Sequence, residues 1–394
     1  MGSFSAAFQA GVRRPARIRT VLLLLYWCAA SEHAVAQTRN TVEWTGSFFA
    51  GTIWKHTPKL TIRTGQALTG QEFGIRIQLQ GRKAWHAWQR FPAFGLAFAH
   101  FHLGAQAHGD AWGLLPNLSV PLFRAARLTG AFRVGTGLGY VSHPYDYFRN
   151  PGQNAIGSHW NNYTQFRLSL EYRLSGHLRM QAGIGLNHFS NGSVALPNYG
   201  VNLPGGFVAL AWSPLQIRNP EFFSAVSGKR GGRSWGGQVS GGLALVEYSV
   251  FDGPRYPVWA ASGAAFYQLN RVNRASFGLE YEFNRAVFEW GLRSGWFRTE
   301  RAATRGATRL ALALADEFLF GAIGVQLLAG LYAGTGLNQN TANTWYSKFT
   351  TRYYFPPLFH TRLQPYAGIS LKAHRTTAEY ISLHTGLSFH AKKQ

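Results

Sequence analysis

The sequence predicts an all-β chain: a transmembrane antiparallel β-barrel of the bacterial outer-membrane type, with about 16 strands. Three observations carry this expectation. Segment after segment alternates apolar and polar residues. Only 14% of the 394 residues are charged, against about 25% in an average soluble protein, while 46% are hydrophobic, 15% are aromatic and 45 are glycine. The chain also opens with the features of an export leader, and its one cysteine, Cys28, falls inside that leader.

The leader is read from three parts. Arg13, Arg14, Arg17 and Arg19 form a basic run, Val21 to Trp27 form a short apolar core, and Ala34-Val35-Ala36 supplies small residues before Gln37. Together these describe a secretory signal peptide over residues 1–36. The apolar core is too short for a membrane anchor, which needs about 20 residues. Loss of residues 1–36 removes four Arg and one Glu, which lowers the formal charge from +23 to +20 and leaves no cysteine. A disulfide scaffold and CxxC chemistry are thereby excluded.

The strands follow in order. Phe166, Leu168, Leu170, Tyr172 and Leu174 alternate with Gln165, Arg167, Ser169, Glu171 and Arg173. Leu178, Met180, Ala182, Ile184 and Leu186 alternate with Arg179, Gln181, Gly183 and Gly185, and Ile381, Leu383, Leu387 and Phe389 repeat the pattern near the carboxy terminus. Side chains point to opposite faces along a strand, so each segment has one apolar and one polar face. The segments are long enough to cross a bilayer at a tilt, and their polar faces suit a wet or tightly packed lumen. Eight strands are expected to begin near Thr41, Gln71, Ala93, Ala107, Arg127, Asn162, His177 and Leu203. Eight more are expected near Ser234, Pro257, Arg274, Ala307, Phe320, Lys348, Arg362 and Glu379. Ser213 to Arg233 is rich in Pro, Gly and Arg and reads as a connector, whereas Arg285 to Arg305 does not alternate and fits no class. Residues 37–214 therefore form a first barrel region. Residues 215–394 form a further strand region, and whether it completes the same barrel or makes a second unit stays open.

The stretch Gly185-Leu186-Asn187-His188-Phe189-Ser190-Asn191-Gly192, followed by Pro197-Asn198-Tyr199-Gly200-Val201-Asn202, carries the chemistry. His188 and Ser190 lie two apart on a strand, so they share a face with Cβ atoms roughly 7 Å apart. Their parity continues the apolar row Leu178 to Leu186, which places them on the lipid side. A periplasmic amino terminus puts this strand end, and the long segment Val141 to Trp160, at the cell surface. Asn202 opens the next strand with the parity of Val208, Leu210 and Trp212, so it faces outward as well. A serine nucleophile, a histidine base and a third residue to orient it make up the recurring acyl-transfer constellation.

His-Phe-Ser-Asn-Gly with Pro-Asn-Tyr-Gly-x-Asn resembles the lipid A 3-O-deacylase (PagL) family. The stretch from Leu138 to His159 is similar to longer bacterial members of it, the acyloxyacyl hydrolases. The resemblance covers residues 41–214, while the second half resembles only the longer members and carries no motif. It implies an outer-membrane esterase with Ser190 as nucleophile and His188 as general base. Asn191 and Asn198, with Gly192, would lie near the oxyanion hole. Asn202 stands where the family has an acidic residue. An amide orients a histidine but does not stabilise its cation. That departure is shared with outer-membrane phospholipase A, which resembles this chain in its His-x-Ser-Asn-Gly motif and asparagine orienter.

Other motifs are weak. Gly135 to Gly139 lies within an alternating strand and reads as small inward residues rather than a phosphate loop. His100 and His102 read as inward-facing strand residues rather than metal ligands, and no metal or other cofactor is expected. The charge excess argues for an anionic lipid surface rather than nucleic acid, because the chain is rich in Trp, Phe, Tyr and Gly. Lys55, Lys59 and Arg63 in the first outer loop and Arg149 in the third are candidates for substrate phosphates, with lipid A of the outer leaflet as the expected partner. The function expected is removal of an ester-linked 3-hydroxyacyl chain from lipid A. The alternatives are a glycerophospholipid hydrolase or a porin-like structural barrel.

Overall fold

A computed structural model describes residues 40–81, 83–217, 233–248, 251–333, 344–374 and 377–391. The leader expected over residues 1–36 lies outside them, as does most of the connector before Arg233. Eight strands, β1 (Thr41–Thr52), β2 (Ala67–Gln78), β3 (Ala93–His102), β4 (Asp110–Arg124), β5 (Leu128–Val141), β6 (Trp160–Arg173), β7 (Leu178–Ser190) and β8 (Val201–Trp212), close into one antiparallel barrel. Closure is made by β1 against β8, from Trp44 opposite Trp212 to Gly51 opposite Gly205. A second closed barrel follows: β9 (Ser234–Glu247), β10 (Arg255–Gln268), β11 (Asn273–Asn284), β12 (Thr308–Phe320), β13 (Ile323–Tyr332), β14 (Trp345–Tyr354), β15 (Leu363–His374) and β16 (Thr377–His390), with β16 paired to β9. The alternation left one barrel or two undecided. The pairing partners decide for two.

Each barrel turns its apolar row outward and its polar row inward. In β7, Met180 and Ile184 are exposed while Arg179 and Asn187 are buried. Inside the first barrel Glu171 is held by Arg76 at 2.9 Å and Arg179 at 2.7 Å, and Arg179 reaches Glu43 at 3.0 Å. One level higher, Glu72 is held by Arg133 at 2.8 Å and Arg167 at 3.0 Å. Charges this far from water persist only because each is paired and hydrogen-bonded. A cavity of about 30 Å³ lies among them, room for about one water molecule. The second barrel repeats the device with Arg274 on Glu317 at 2.6 Å and Lys348 on Glu280 at 2.7 Å.

One stretch left unassigned by the sequence is resolved, and one expectation is corrected. The unclassified stretch from Arg285 is helical, because Asn284 accepts from the backbone N–H of Ala286 and Val287 and so caps α2 (Arg285–Arg293). Thr299 caps α3 (Glu300–Ala307) in the same way, and Phe297 packs between the two helices with Val287, Ala303 and Ala307. A shorter helix, α1 (Ala84–Trp88), lies between β2 and β3. His100 and His102 point outward, not inward. The inward row of β3 is Ala93, Ala97, Ala99 and Phe101, which leaves the even positions outside, where both imidazoles lie beside Asp110.

The barrels touch along their sides. Gln89 Nε2 donates to the Leu319 carbonyl at 2.7 Å at the end of the barrel that also carries α1. Phe166 of β6 meets Phe349 of β14 edge to face at 6.5 Å. The opposite end, reached by the odd-numbered strands, brings the β7–β8 connection against β9, β10 and β16.

Candidate active site

The carboxy-terminal end of β7 is pinned from inside the barrel. Phe189 points inward and stacks on Tyr163 at 4.7 Å and 15°, with Phe101 edge-on to both rings at 6.0 Å. The Tyr163 hydroxyl donates to Asn187 Oδ1 at 2.8 Å. With Asn187 and Phe189 fixed in the lumen, the pleat turns His188 and Ser190 outward.

His188 stands directly opposite Asn202 in the β7–β8 register, and its Nδ1 lies 2.7 Å from Asn202 Oδ1. Ser190 is only 2% exposed. Its Oγ accepts from Asn198 Nδ2 at 3.0 Å and from the Gly192 N–H at 3.3 Å, and it donates to Asn198 Oδ1 at 3.3 Å. Ser190 and His188 share a face, but the hydrogen bonds of Ser190 run to Asn198 and Gly192 rather than to the imidazole. The Asn191 N–H donates to Asn198 Oδ1 at 3.1 Å. Its side chain is turned away, with Nδ2 donating to Ser158 Oγ and to the Ala195 carbonyl, both at 2.8 Å. Of the three expected positioning residues, Asn198 and Gly192 reach the hydroxyl, and Asn191 contributes through its backbone.

Four further residues shape the site, and three of them, His56, Glu247 and Arg255, carry no mark in the sequence pattern. Gly200 adopts φ +80°, and a Cβ there would lie 2.8 Å from His188 Cε1. The absence of a side chain is what lets the loop pass beside the imidazole. His56, from the β1–β2 connection, lies against both Asn202 and Tyr199. Glu247 of β9 accepts from the Leu196 N–H, and its own N–H donates to the Ser193 carbonyl at 2.8 Å. Arg255 of β10 donates to the Val194 carbonyl at 2.8 Å. Gly192 has φ +62° and packs so closely on Ile381 of β16 that a Cβ would lie 2.7 Å from its Cγ1. The loop after Ser190 is thus held between the two barrels.

Lys55, Lys59, Arg63 and Arg149 are all exposed at this same end, and none of them joins an ion pair among the described residues. The backbones of Lys59, Arg63 and Arg149 are held by side chains of other loop residues. Asn154 Nδ2 donates to the Lys59 carbonyl at 2.6 Å, and His108 Nε2 donates to the Arg63 carbonyl at 2.9 Å. Burial pushes the His108 imidazole below its ordinary value. Asp146 accepts the N–H groups of Arg149 and Phe148, which hold its carboxyl below the usual range. Among the described residues no group of three or more His, Cys, Asp or Glu side chains is arranged to hold a metal ion.

A hydroxyl with N–H donors on its oxygen, beside an imidazole whose Nδ1 is engaged and whose Nε2 is left to take a proton, is equipped for acyl transfer. Residues 71–211 match the family model described as lipid A 3-O-deacylase (PagL). Residues 233–391 match the one described as acyloxyacyl hydrolase, C-terminal domain. No curated protein matches the chain. Among solved structures, the outer membrane enzyme PagL aligns at 15% identity over 42% of this chain and 97% of that one, with a TM-score of 0.31. CdiB from Acinetobacter baumannii aligns at 10% identity over 90% and 61%, with a TM-score of 0.18. The KdgM porin aligns at 7% identity over 70% and 92%, with a TM-score of 0.17.

Proposed function

Since the chain belongs to the lipid A 3-O-deacylase (PagL) family through residues 71–211 and carries the acyloxyacyl hydrolase C-terminal domain over residues 233–391, we propose that it is an outer-membrane serine esterase. Its substrate is an ester-linked 3-hydroxyacyl chain of lipid A. The observation that carries this is the His188–Asn202 hydrogen bond beside a serine whose Oγ already receives two N–H donors, all on the outward face of the barrel.

In the reaction, the Ser190 hydroxyl turns from Asn198 to His188, gives its proton to Nε2 and attacks the ester carbonyl. Asn202 Oδ1 holds the Nδ1–H of the imidazole. The negative charge that develops on the carbonyl oxygen is met by the Gly192 N–H and Asn198 Nδ2, with the Asn191 N–H adjacent. His188 returns the proton to the departing sugar oxygen. Water, activated by the same base, then releases the 3-hydroxy acid and restores Ser190. Substrate enters from the side, out of the lipid leaflet. Lys55, Lys59, Arg63 and Arg149 at the same end supply positive charge for lipid A phosphates, each worth about 1 kcal/mol near an anionic membrane.

Ser190→Ala tests the reading. Lipid A from cells that carry the variant should keep the 3-hydroxyacyl mass that the wild-type protein removes. Continued trimming by the variant rejects Ser190 as nucleophile. Asn202 favours a second reading, a glycerophospholipid hydrolase, because it places a neutral amide where a lipid A deacylase has an acid. Release of fatty acid from phospholipid micelles with lipid A left intact would select it.

A further inference from the structure

The reading of Ser190 and His188 as an acyl-transfer pair leaves one chemical gap. A carboxylate offers equivalent acceptor oxygens to a histidine, but an amide has one accepting end and one donating end. Only the orientation with Oδ1 toward His188 serves catalysis. The reverse orientation presents an N–H to Nδ1 and drives the imidazole proton onto Nε2, where it blocks the base.

We propose that His56 is a positioning residue that fixes the amide of Asn202 in its productive orientation. This rests on the acyl-transfer reading above. The argument starts at a backbone carbonyl. His56 Nε2 lies 3.0 Å from the Tyr199 oxygen, which can only accept, so Nε2 carries a proton. In the neutral ring Nδ1 is then the acceptor, and it lies 3.0 Å from Asn202 Nδ2. That donation commits the NH₂ end of Asn202 to His56 and leaves Oδ1 for His188 at 2.7 Å. His188 therefore carries its proton on Nδ1, and Nε2 is free to accept the proton of Ser190. The Trp54 carbonyl also lies 3.3 Å from His56 Nδ1, but a neutral ring has one N–H to give, and the shorter contact from Nε2 to Tyr199 takes it. The loop is held in register for this, because the Trp54 N–H donates to the Asn202 carbonyl at 2.9 Å. One carbonyl, two imidazoles and one amide thus form a one-way relay. A carboxylate in place of the Asn202 amide would not need it.

The test is a double-mutant cycle on the full-length protein in detergent, with purified lipid A as substrate. His56→Ala should lower kcat about tenfold or more, the size of one lost hydrogen-bond preference, and leave KM nearly unmoved. The upper bound is about 10⁴, the size of a wrong histidine tautomer in a serine protease. His56→Gln should restore most of the rate, because its amide both accepts and donates. With Asn202→Asp as the parent, whose carboxylate has no wrong way round, His56→Ala should cost little. A wild-type kcat for His56→Ala, or the same loss in both parents, overturns the proposal. If His56→Ala does not fold, His56→Met takes its place in the cycle, and the same two results overturn the proposal. An active Ser190→Ala sinks the underlying reaction. An inactive Ser190→Ala with an indifferent His56 sinks only the relay.

Discussion

Gly200→Ala is a small perturbation with a calculable consequence. The new Cβ would stand 2.8 Å from His188 Cε1, where ordinary contact begins at 3.4 Å, so the imidazole or the loop must give by at least about 0.6 Å. The loop is poorly placed to yield. The Gly200 N–H donates to the Ala155 carbonyl at 2.9 Å, and His188 has its Nδ1 fixed 2.7 Å from Asn202. Alanine at φ +80° also carries strain of about 1–2 kcal/mol. A catalytic group displaced by about 1 Å can cost about 10² in rate, so a kcat loss of about 10- to 100-fold is expected with the barrel still folded. The assay is release of 3-hydroxy acid from purified lipid A, with heat-dependent gel mobility to show that the barrel has formed. Full activity in a folded Gly200→Ala variant would mean that the His188 position in this structure is not the one used in the reaction.

Three other expectations follow from the same geometry. Glu247→Ala removes the acceptor of the Leu196 N–H and loosens the loop after Ser190, so kcat for lipid A should fall about tenfold, with Glu247→Gln retaining most of it. An unchanged rate for both would show that the second barrel does not support the site. Glu72→Ala strands Arg133 and Arg167 in the lumen and should destabilise the first barrel by about 3–5 kcal/mol, read as a lower urea midpoint for unfolding. An unmoved midpoint would contradict the pairing. Joint replacement of Lys55, Lys59, Arg63 and Arg149 by Ala should raise KM for lipid A and flatten its dependence on ionic strength. A salt dependence as steep as the wild type's would remove these side chains from substrate binding.

The sequence by itself determined, for most strands, which side chains face out of the barrel and which face the lumen, because a strand has a side-chain period of two. That rule placed all sixteen strands to within a few residues. It also put His188, Ser190 and Asn202 on one outer surface before any contact was known. It failed at Arg285 to Arg305, where the helices depend on the caps Asn284 and Thr299 and on Phe297 packed between them. It misjudged His100 and His102, because the face of β3 is set by its small inward residues Ala97 and Ala99 rather than by polarity. Only the tertiary structure decided that the strands close into two barrels. Closure joins β1 to β8 and β9 to β16, and alternation says which way a side chain points but not which strand lies beside it. The same limit applies at the site. His56 meets Asn202 across 146 residues, and Glu247 meets Leu196 across 51. Such contacts follow from where closed barrels bring their loops, and no local pattern records them.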